Sequence, residues 1–576
     1  MTDQDTLAAG LDHHRAGRTD QARAIYAALL ADDPDNAEAH HLMGVLQLQT
    51  AAPAQAIEHL DRAVALAPDV AKYHGNRAAA LGALGRRDEA VAAMERAVGL
   101  DPDDLLYRIN LATALGEAGR QAEAGAVWHE VAARDPANAD ARSELAHLAL
   151  RAGDMDAAVP LYRRASELAP DDPVRHSHLC VMLNSAAGVP LAEIYAEHRA
   201  WNDRHAKPLA GSAPPPDNDR DPDRPLRVGY VSADWRHHPV GYLTLPALSN
   251  HDPDRIEAYL YSSTAPADDL TEVFKGLGHA WRDVAREDDA ALFETIRRDR
   301  IDVLVDLTGH HNRNRLLVFA RRAAPVQISW ESYSFSTGLD AMDYYIGDAV
   351  QTPENLAPFF AEKIARLPGS MACIGYPADA PDVGPSPAGA AGRVTFGVHA
   401  SPTSVTPAVI DVWESVVAGC PDAVVLPLGW GAAAVADKLE ARGLAVLRRE
   451  SSGVRGMYAP WNDVDIALDP FPVSGNIETL EALWMGVPVV ALAGERRIAR
   501  RSAGHLTAVG LTDLVAHSAA DYARIATALA ADSVRLASLR KTLRATINAS
   551  PLADGPGHTR ALENIYRDAW RRWCAG

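Results

Sequence analysis

Cysteine is scarce: four in 576 residues, Cys180, Cys373, Cys420 and Cys574, far apart and without metal-ligand spacing. That argues against a disulfide framework or a structural zinc site and fits a reducing cytoplasm. Long apolar runs are missing too, none approaching the roughly 20 residues of a membrane span. The N-terminal Met1-Thr2-Asp3-Gln4-Asp5 is acidic and lacks the apolar core of a signal sequence. A cytoplasmic location is the expectation. Positive charge is in deficit, 56 Lys and Arg against 76 Asp and Glu, a net −20. Such a chain is a poor nonspecific ligand for nucleic acid. Against these absences stand a length suited to three or four domains and 48% hydrophobic residues, enough for large cores.

A repeat fills the first third. Pro34, Pro68, Pro102, Pro136 and Pro170 are spaced by 34 residues, and Gly17, Gly85, Gly119 and Gly153 share the period, with Ala51 in the remaining slot. Ala22, Ala56, Ala90, Ala124 and Ala158 recur likewise, as do the bulkier Tyr26, Leu60, Met94, Trp128 and Tyr162. This is the tetratricopeptide pattern of paired helices. Small residues let helices approach, large ones fill between them, and proline interrupts the chain before the next pair. The expectation is an α-solenoid over 1–205, all helical from about Thr6 to His205. It offers a concave groove to an extended protein partner; a purely structural or dimerising array, and so a homo-oligomer, is the alternative.

Residues 206–225, with Pro214-Pro215-Pro216 and Asp217-Asn218-Asp219, read as a linker. An α/β region follows. Strands are expected at Leu226 to Ser232, Ile301 to Leu307, Ala324 to Trp330 and Met342 to Asp348, then Val394 to Val398 and Val424 to Leu428. Alternation with helices of ordinary length gives Rossmann-like halves over 226–385 and 390–576, with a Pro-, Ala- and Gly-rich hinge at Ala378 to Gly392. Within the second half, Val464 to Leu468 is a strand and Pro470, Pro472 and Gly475 break it. Ser474 or Asn476 caps a helix from Thr479 to Met485, and Val487 to Leu492 is the next strand. In such a βαβ unit the helix N-terminus lies at the strand's carboxyl end, where free N–H groups suit a phosphate. An ordinary βαβ unit without ligand is the alternative.

The run Asp469-Pro470-Phe471-Pro472, a Gly-containing turn, then Glu481-Ala482-Leu483-Trp484-Met485-Gly486-Val487-Pro488-Val489-Val490 resembles the donor-binding segment of the O-GlcNAc transferase family. Members fuse tetratricopeptide repeats to a GT-B glycosyltransferase unit of two Rossmann-like domains, and the likeness spans most of the chain. Asp306-Leu307-Thr308-Gly309-His310, Ala324-Pro325-Val326-Gln327 with Trp330, and Met342-Asp343-Tyr344 resemble further family elements. The resemblance implies a metal-independent protein O-glycosyltransferase without a resident cofactor, taking a nucleotide-sugar donor and a protein acceptor. It matches His238 to an active-site histidine that orients or deprotonates the acceptor hydroxyl; structural capping by His237 and His238 is the alternative. Asp234, His310 and Tyr333 fall on the acceptor side, and Ser404, Ser474, Gly475, Asn476, Ile477, Glu478 and Arg500 on the donor side. Arg500 clamps anionic donor groups or merely pairs with nearby acids. A terminal helix, about Gly557 to Trp573, is expected to pack back on the first half.

The chain also departs from that family. Ser404 stands where relatives carry a diphosphate-binding lysine, Met457 where they carry a nucleotide-contacting histidine, and Asn476-Ile477-Glu478 where they carry His-Thr-Thr. The loop Glu331-Ser332-Tyr333-Ser334-Phe335-Ser336 replaces a more usual Leu-Gly-Tyr-Pro-Gly-Thr on the acceptor side. Fewer phosphate donors and the acidic Glu478 disfavour a diphosphate, although an acid at a helix N-terminus also complements its dipole. The expectation is weaker binding of UDP than of a monophosphate such as CMP, with N–H groups near Gly475 holding the phosphate. That points to a donor like that of the bacterial flagellin glycosyltransferases, a CMP-activated nonulosonic acid, with flagellin as acceptor. An ordinary UDP-GlcNAc transferase and an inactive binding scaffold are the alternatives.

Overall fold

The computed structural model describes residues 3–375, 380–429, 431–449 and 458–576. The chain forms two compact units, Met1–Ala149 and Leu150–Gly576.

The first unit is built of helices alternating between 13 and 14 residues, beginning with Asp3–Arg15 and Thr19–Asp32 and reaching Gln121–Arg134. The repeat positions do what their chemistry requires. Ala22, Ala56, Ala90 and Ala124 are buried, as are Tyr26, Leu60, Met94 and Trp128. Gly17, Gly85 and Gly119 turn the chain at positive φ between helices, and Ala51 takes the same left-handed conformation at φ 56°. A repeat thus keeps its turn even where the residue pays a steric penalty for it.

The helical series continues into the second unit with Met155–Leu168, Pro173–Ser185 and Leu191–Trp201. The structural division therefore precedes the expected boundary at 205: these last helices share a core with the α/β region. Cys180 and Trp201 are buried together with Val231, Tyr261 and Phe319, and Arg199 donates to the Gly338 carbonyl at 2.7 Å. Tertiary docking separates these helices from the repeats they resemble in sequence.

The α/β region holds two parallel sheets. The first comprises β1 (Leu226–Ser232), β2 (Ile256–Ser262), β3 (Ala280–Asp283), β4 (Val303–Asp306), β5 (Val326–Ser329), β6 (Tyr344–Gly347) and β7 (Lys363–Arg366), in the order β3-β2-β1-β4-β5-β6-β7. The second comprises β8 (Thr395–His399), β9 (Val424–Leu428), β10 (Ile466–Leu468), β11 (Val489–Leu492) and β12 (Val515–Ala516), in the order β12-β11-β10-β8-β9. The central strands are buried almost throughout, as expected where helices cover both faces of a parallel sheet. In both sheets the order reverses beside the first strand, creating the switch point where open α/β sheets bind ligands.

Residues 206–225 are not a free tether. Asn218 and Arg224 converge on the buried Asp302 carboxylate at 2.8 and 2.6 Å, and Asp302 also accepts from the Arg227 N–H at 2.8 Å. The segment is a strap across the first sheet. The terminal helix Gly555–Ala575 packs back as expected: Leu562, Tyr566 and Trp570 join the core of β1, β4 and β5. Of the expected hinge, Ala378 and Asp379 lie outside the described residues; Gly384 and Ser386 bond to Asn462 and Asp465, so this stretch travels with the second half.

Candidate functional site

The ends of six strands converge on one cleft of about 640 Å³, β2 contributing Ala265. β1 runs into Ala233, Asp234, Arg236 and His238; β4 leads to His311, Asn312 and Arg313; β5 to Glu331 and Ser332. From the second half, the turn after β10 brings Asn476 and Glu478, and the segment after β11 brings Arg501. Every lining group therefore follows the carboxyl end of a parallel strand, where ligands of open α/β sheets lie.

On the first wall, His238 caps the helix Pro239–Ser249, its Nδ1 accepting from the Val240 N–H at 3.3 Å. Asp234 lies farther from that nitrogen, 3.7 Å from Nδ1. A neutral imidazole has one donor and one acceptor nitrogen. With Nδ1 accepting, Nε2 carries the proton and donates. His238 can thus orient an oxygen, but in this tautomer it cannot deprotonate one. Burial lowers its pKa, with Asp234 opposing and Arg236 assisting. Asp234 receives Arg236 at 3.1 Å. His311 is exposed at the cleft; its pKa is lowered, by desolvation first and by neighbouring His238 second.

Glu331 completes this wall differently. Its Oε1 is buried with no hydrogen-bond partner. Burial raises its pKa to about 7, against the pull of Arg497 and Arg501 and with repulsion from Asp348. Its backbone sits at φ 62°, and Ser332 N–H bonds back to the Trp330 carbonyl at 2.9 Å. That is the rare γ-turn with a positive central φ, a strained arrangement for a residue with a side chain.

On the second wall, the anticipated phosphate cradle is already engaged. The Gly475 N–H donates to Asp469 at 2.7 Å and the Asn476 N–H to the Glu478 carboxylate at 2.9 Å. The expectation of free N–H groups near Gly475 is corrected accordingly: Glu478 places its own anion at the helix N-terminus. Burial raises the Glu478 pKa, but the His399 charge, the Asn476 N–H and Arg501 outweigh it and leave a net lowering. A carboxylate so stabilised stays ionised. Burial instead raises Asp469 to about 7. Asn476 Oδ1 receives His505 Nε2 at 3.0 Å.

Several expected donor-side residues lie away from the cleft. Arg500 spends its guanidinium on the Val350 and Gly494 carbonyls at 2.7 and 2.8 Å; Arg501, one residue on, lines the cleft and keeps a buried Nε without a partner. Ser474 bonds Ile498 and the Arg501 N–H internally. Ile477 is core. Ser404 is buried in the loop after β8, bonded to Ser401 at 2.8 Å. Met457 lies outside the described residues.

The acceptor side divides the same way. Asp234 lines the cleft; His310 and Tyr333 do not. His310 is fully buried, bonded to Ser177 at 3.0 Å and the Thr337 carbonyl at 2.8 Å. The Tyr333 hydroxyl donates to His198 Nε2 at 2.6 Å, and His198 Nδ1 donates to the Ile194 carbonyl at 2.7 Å. These groups bind the last helices to the α/β region. His310, expected at the acceptor, is a fastener, and His311 takes the cleft position. Sequence reasoning did not single out His311, Glu331 and Arg501 as cleft-lining residues. The signal was present in the loop departure at Glu331 and in the paired arginines and histidines, but which of two neighbours turns inward depends on local φ.

A family model described as glycosyl transferase family 41 matches residues 213–376 and 401–562. Tetratricopeptide-repeat models match 13–80, 117–179 and 71–104. A tomato (Solanum lycopersicum) protein named probable UDP-N-acetylglucosamine–peptide N-acetylglucosaminyltransferase SPINDLY is 35% identical over 406 residues, covering 67% of this chain and 43% of that protein. Its namesake in rice (Oryza sativa subsp. japonica) is 34% identical over 432 residues, covering 73% and 46%. This chain thus spans less than half the length of these plant relatives. A mutant O-GlcNAc transferase of Thermobaculum terrenum, a solved structure, aligns over 100% of this chain and 99% of its own at 32% identity and a TM-score of 0.70.

Proposed function

The chain belongs to glycosyl transferase family 41, and on that premise we propose that it moves a sugar from a nucleotide-sugar donor to a serine or threonine hydroxyl of a protein. The observation that carries the reading is the cleft itself: acids, histidines and Arg501 from two Rossmann-like halves face one space at the carboxyl ends of their strands. The first repeat unit supports the protein acceptor. It has a groove of about 600 Å³ lined by Lys72, Asn76, Tyr107, Asn110 and Glu117, with Asn76 and Asn110 one repeat apart. Metal independence is part of the proposal, checked by unchanged turnover after chelation.

A donor screen with mass detection on co-expressed proteins, flagellin among them, tests the reading. A mass increment on a Ser or Thr supports it; none, together with no thermal shift by UDP, GDP or CMP, favours a binding scaffold. For the donor, the Glu478 carboxylate supports a ligand less charged than a diphosphate, whereas the names of the plant relatives favour UDP-N-acetylglucosamine. Calorimetry with UDP and CMP separates the two. Low-micromolar UDP binding without CMP binding returns the chain to the ordinary UDP-GlcNAc reading. Glu478→Gln is expected to improve UDP binding by removing a repelling charge.

A further inference from the structure

We propose that Glu331 is the general base that takes the proton from the acceptor hydroxyl; this rests on the transfer reading above. The cleft holds three carboxylates and two histidines in its wall, and four of these five are engaged or unsuited. Asp234 is tied to Arg236. Glu478 is held ionised on the Asn476 N–H. His238 has its acceptor nitrogen on the Val240 N–H and presents a donor. His311 is exposed to solvent rather than enclosed, and its pKa is lowered by desolvation and by neighbouring His238, which makes it a weaker base than an ordinary histidine. Glu331 alone has a buried carboxylate oxygen with no partner, in a cavity wall large enough for a substrate. A buried polar atom left unsatisfied is costly, and so is a side-chain-bearing residue at positive φ in a γ-turn. Glu331 carries both costs at one position, which marks a group held ready for a substrate rather than for the fold.

In the step assigned to it, the acceptor oxygen forms a bond to the sugar's anomeric carbon. The bond from that carbon to the donor's phosphate oxygen breaks, its electron pair leaving with the nucleotide. The hydroxyl proton passes to the Glu331 carboxylate and is released to solvent when product departs. His238, donating from Nε2, orients the acceptor oxygen. The charged and titratable groups around Glu331 are Arg497 and Arg501 from the segment after β11, Asp348 after β6, Tyr345 in β6 and Cys373, with Asp234, Arg236, His238, His311, Arg313 and Glu478 around the cleft. A carboxyl near neutral is matched to base catalysis at neutral pH.

The test compares full-length wild type, Glu331→Gln, Glu331→Asp and His238→Asn in sugar transfer, with the nucleotide affinity of each. Glu331→Gln should lose roughly 10²–10⁴ in turnover, the range of a general base, with nucleotide affinity within about twofold. Glu331→Asp should recover part of it. The pH profile of kcat/KM in wild type should show an acidic limb near 7, absent in Glu331→Gln and retained in His238→Asn. Turnover of Glu331→Gln within tenfold of wild type, or a limb lost in His238→Asn instead, overturns the assignment while leaving the transfer reading intact. Should Glu331→Gln fail to fold, the wild-type and His238→Asn profiles decide alone. No transfer by wild type to any protein overturns the reading beneath it, and the assignment with it.

Discussion

Two sets of buried polar groups, which meet in one loop at Glu331 and Tyr333, behave in opposite ways. Behind the cleft, Ser177, His198, His310 and Tyr333 bond to one another and to carbonyls, so both nitrogens of each histidine have a partner. In the cleft wall, Glu331 Oε1 and Arg501 Nε are buried and unpartnered. A satisfied network rigidifies; an unsatisfied group waits for something to satisfy it. The first set fixes how the last helices dock, and the second defines where a ligand completes the structure.

The largest expected effect falls on the satisfied set. Gly309 has φ +55°, and a Cβ there would lie 2.2 Å from the Cβ of Tyr333. Gly309→Ala must move Tyr333 off His198 or deform the loop. The expected loss is about 2–5 kcal/mol from overpacking plus left-handed strain. A chemical melt measures it, and a loss under 1 kcal/mol would mean the network yields easily.

The same loop shows how far the sequence was legible. The 34-residue period gave away the paired helices, and Ala51, standing in the glycine slot, takes the left-handed turn. Leu226–Ser232 and Val424–Leu428 appear with the expected bounds, because strands of a covered parallel sheet are rich in apolar residues. The strands Ile256–Ser262, Ala280–Asp283, Lys363–Arg366 and Val515–Ala516 were not anticipated; the two-residue Val515–Ala516 is too short to leave a pattern. At the site, Asp234, His238, Asn476 and Glu478 line the cleft; His310 and Arg500 do not, and their neighbours His311 and Arg501 do. Motif spacing identifies the loop. Which neighbour faces inward is decided by backbone turns such as the positive φ of Gly309, which no periodicity records.

On the unsatisfied side, Arg501→Met keeps the apolar stem and removes the cation. If Arg501 completes its bonding on an anionic donor, nucleotide affinity should fall ten- to a hundredfold, the equivalent of about 1.5–3 kcal/mol for one charge-assisted contact. Its guanidinium also donates to the Ser474 carbonyl, so a modest stability loss of about 1 kcal/mol for one hydrogen bond should accompany it. A large fall in melting temperature with unchanged affinity would place Arg501 with the fasteners.

The smallest effect sharpens the contrast through pH. Tyr333→Phe deletes only the hydroxyl that His198 accepts, leaving a buried nitrogen unpaired, for a cost of about 1–3 kcal/mol. Burial lowers the His198 pKa from 6.5 to about 4, against the Ile194 carbonyl and Glu197 and with His176 adding to the depression. Tyr333 itself donates to the neutral form. The unfolded histidine therefore binds a proton at a higher pH than the folded one. Its contribution to stability is full above about 6.5 and is lost as pH falls toward 4. Asp306, raised to about 7 chiefly by burial, has the opposite sign, its contribution lost as pH rises through that value, and it cancels in the difference between variant and wild type. Without the hydroxyl, neutral His198 loses a stabilising bond, so its folded pKa rises toward 6.5. The gap in stability between the two proteins should then be constant above pH 6.5 and narrow between 6.5 and 4. A gap that widens on acidification would mean Tyr333 stabilises the protonated ring. Reduced sugar transfer with no stability difference would return Tyr333 to the acceptor side of the cleft.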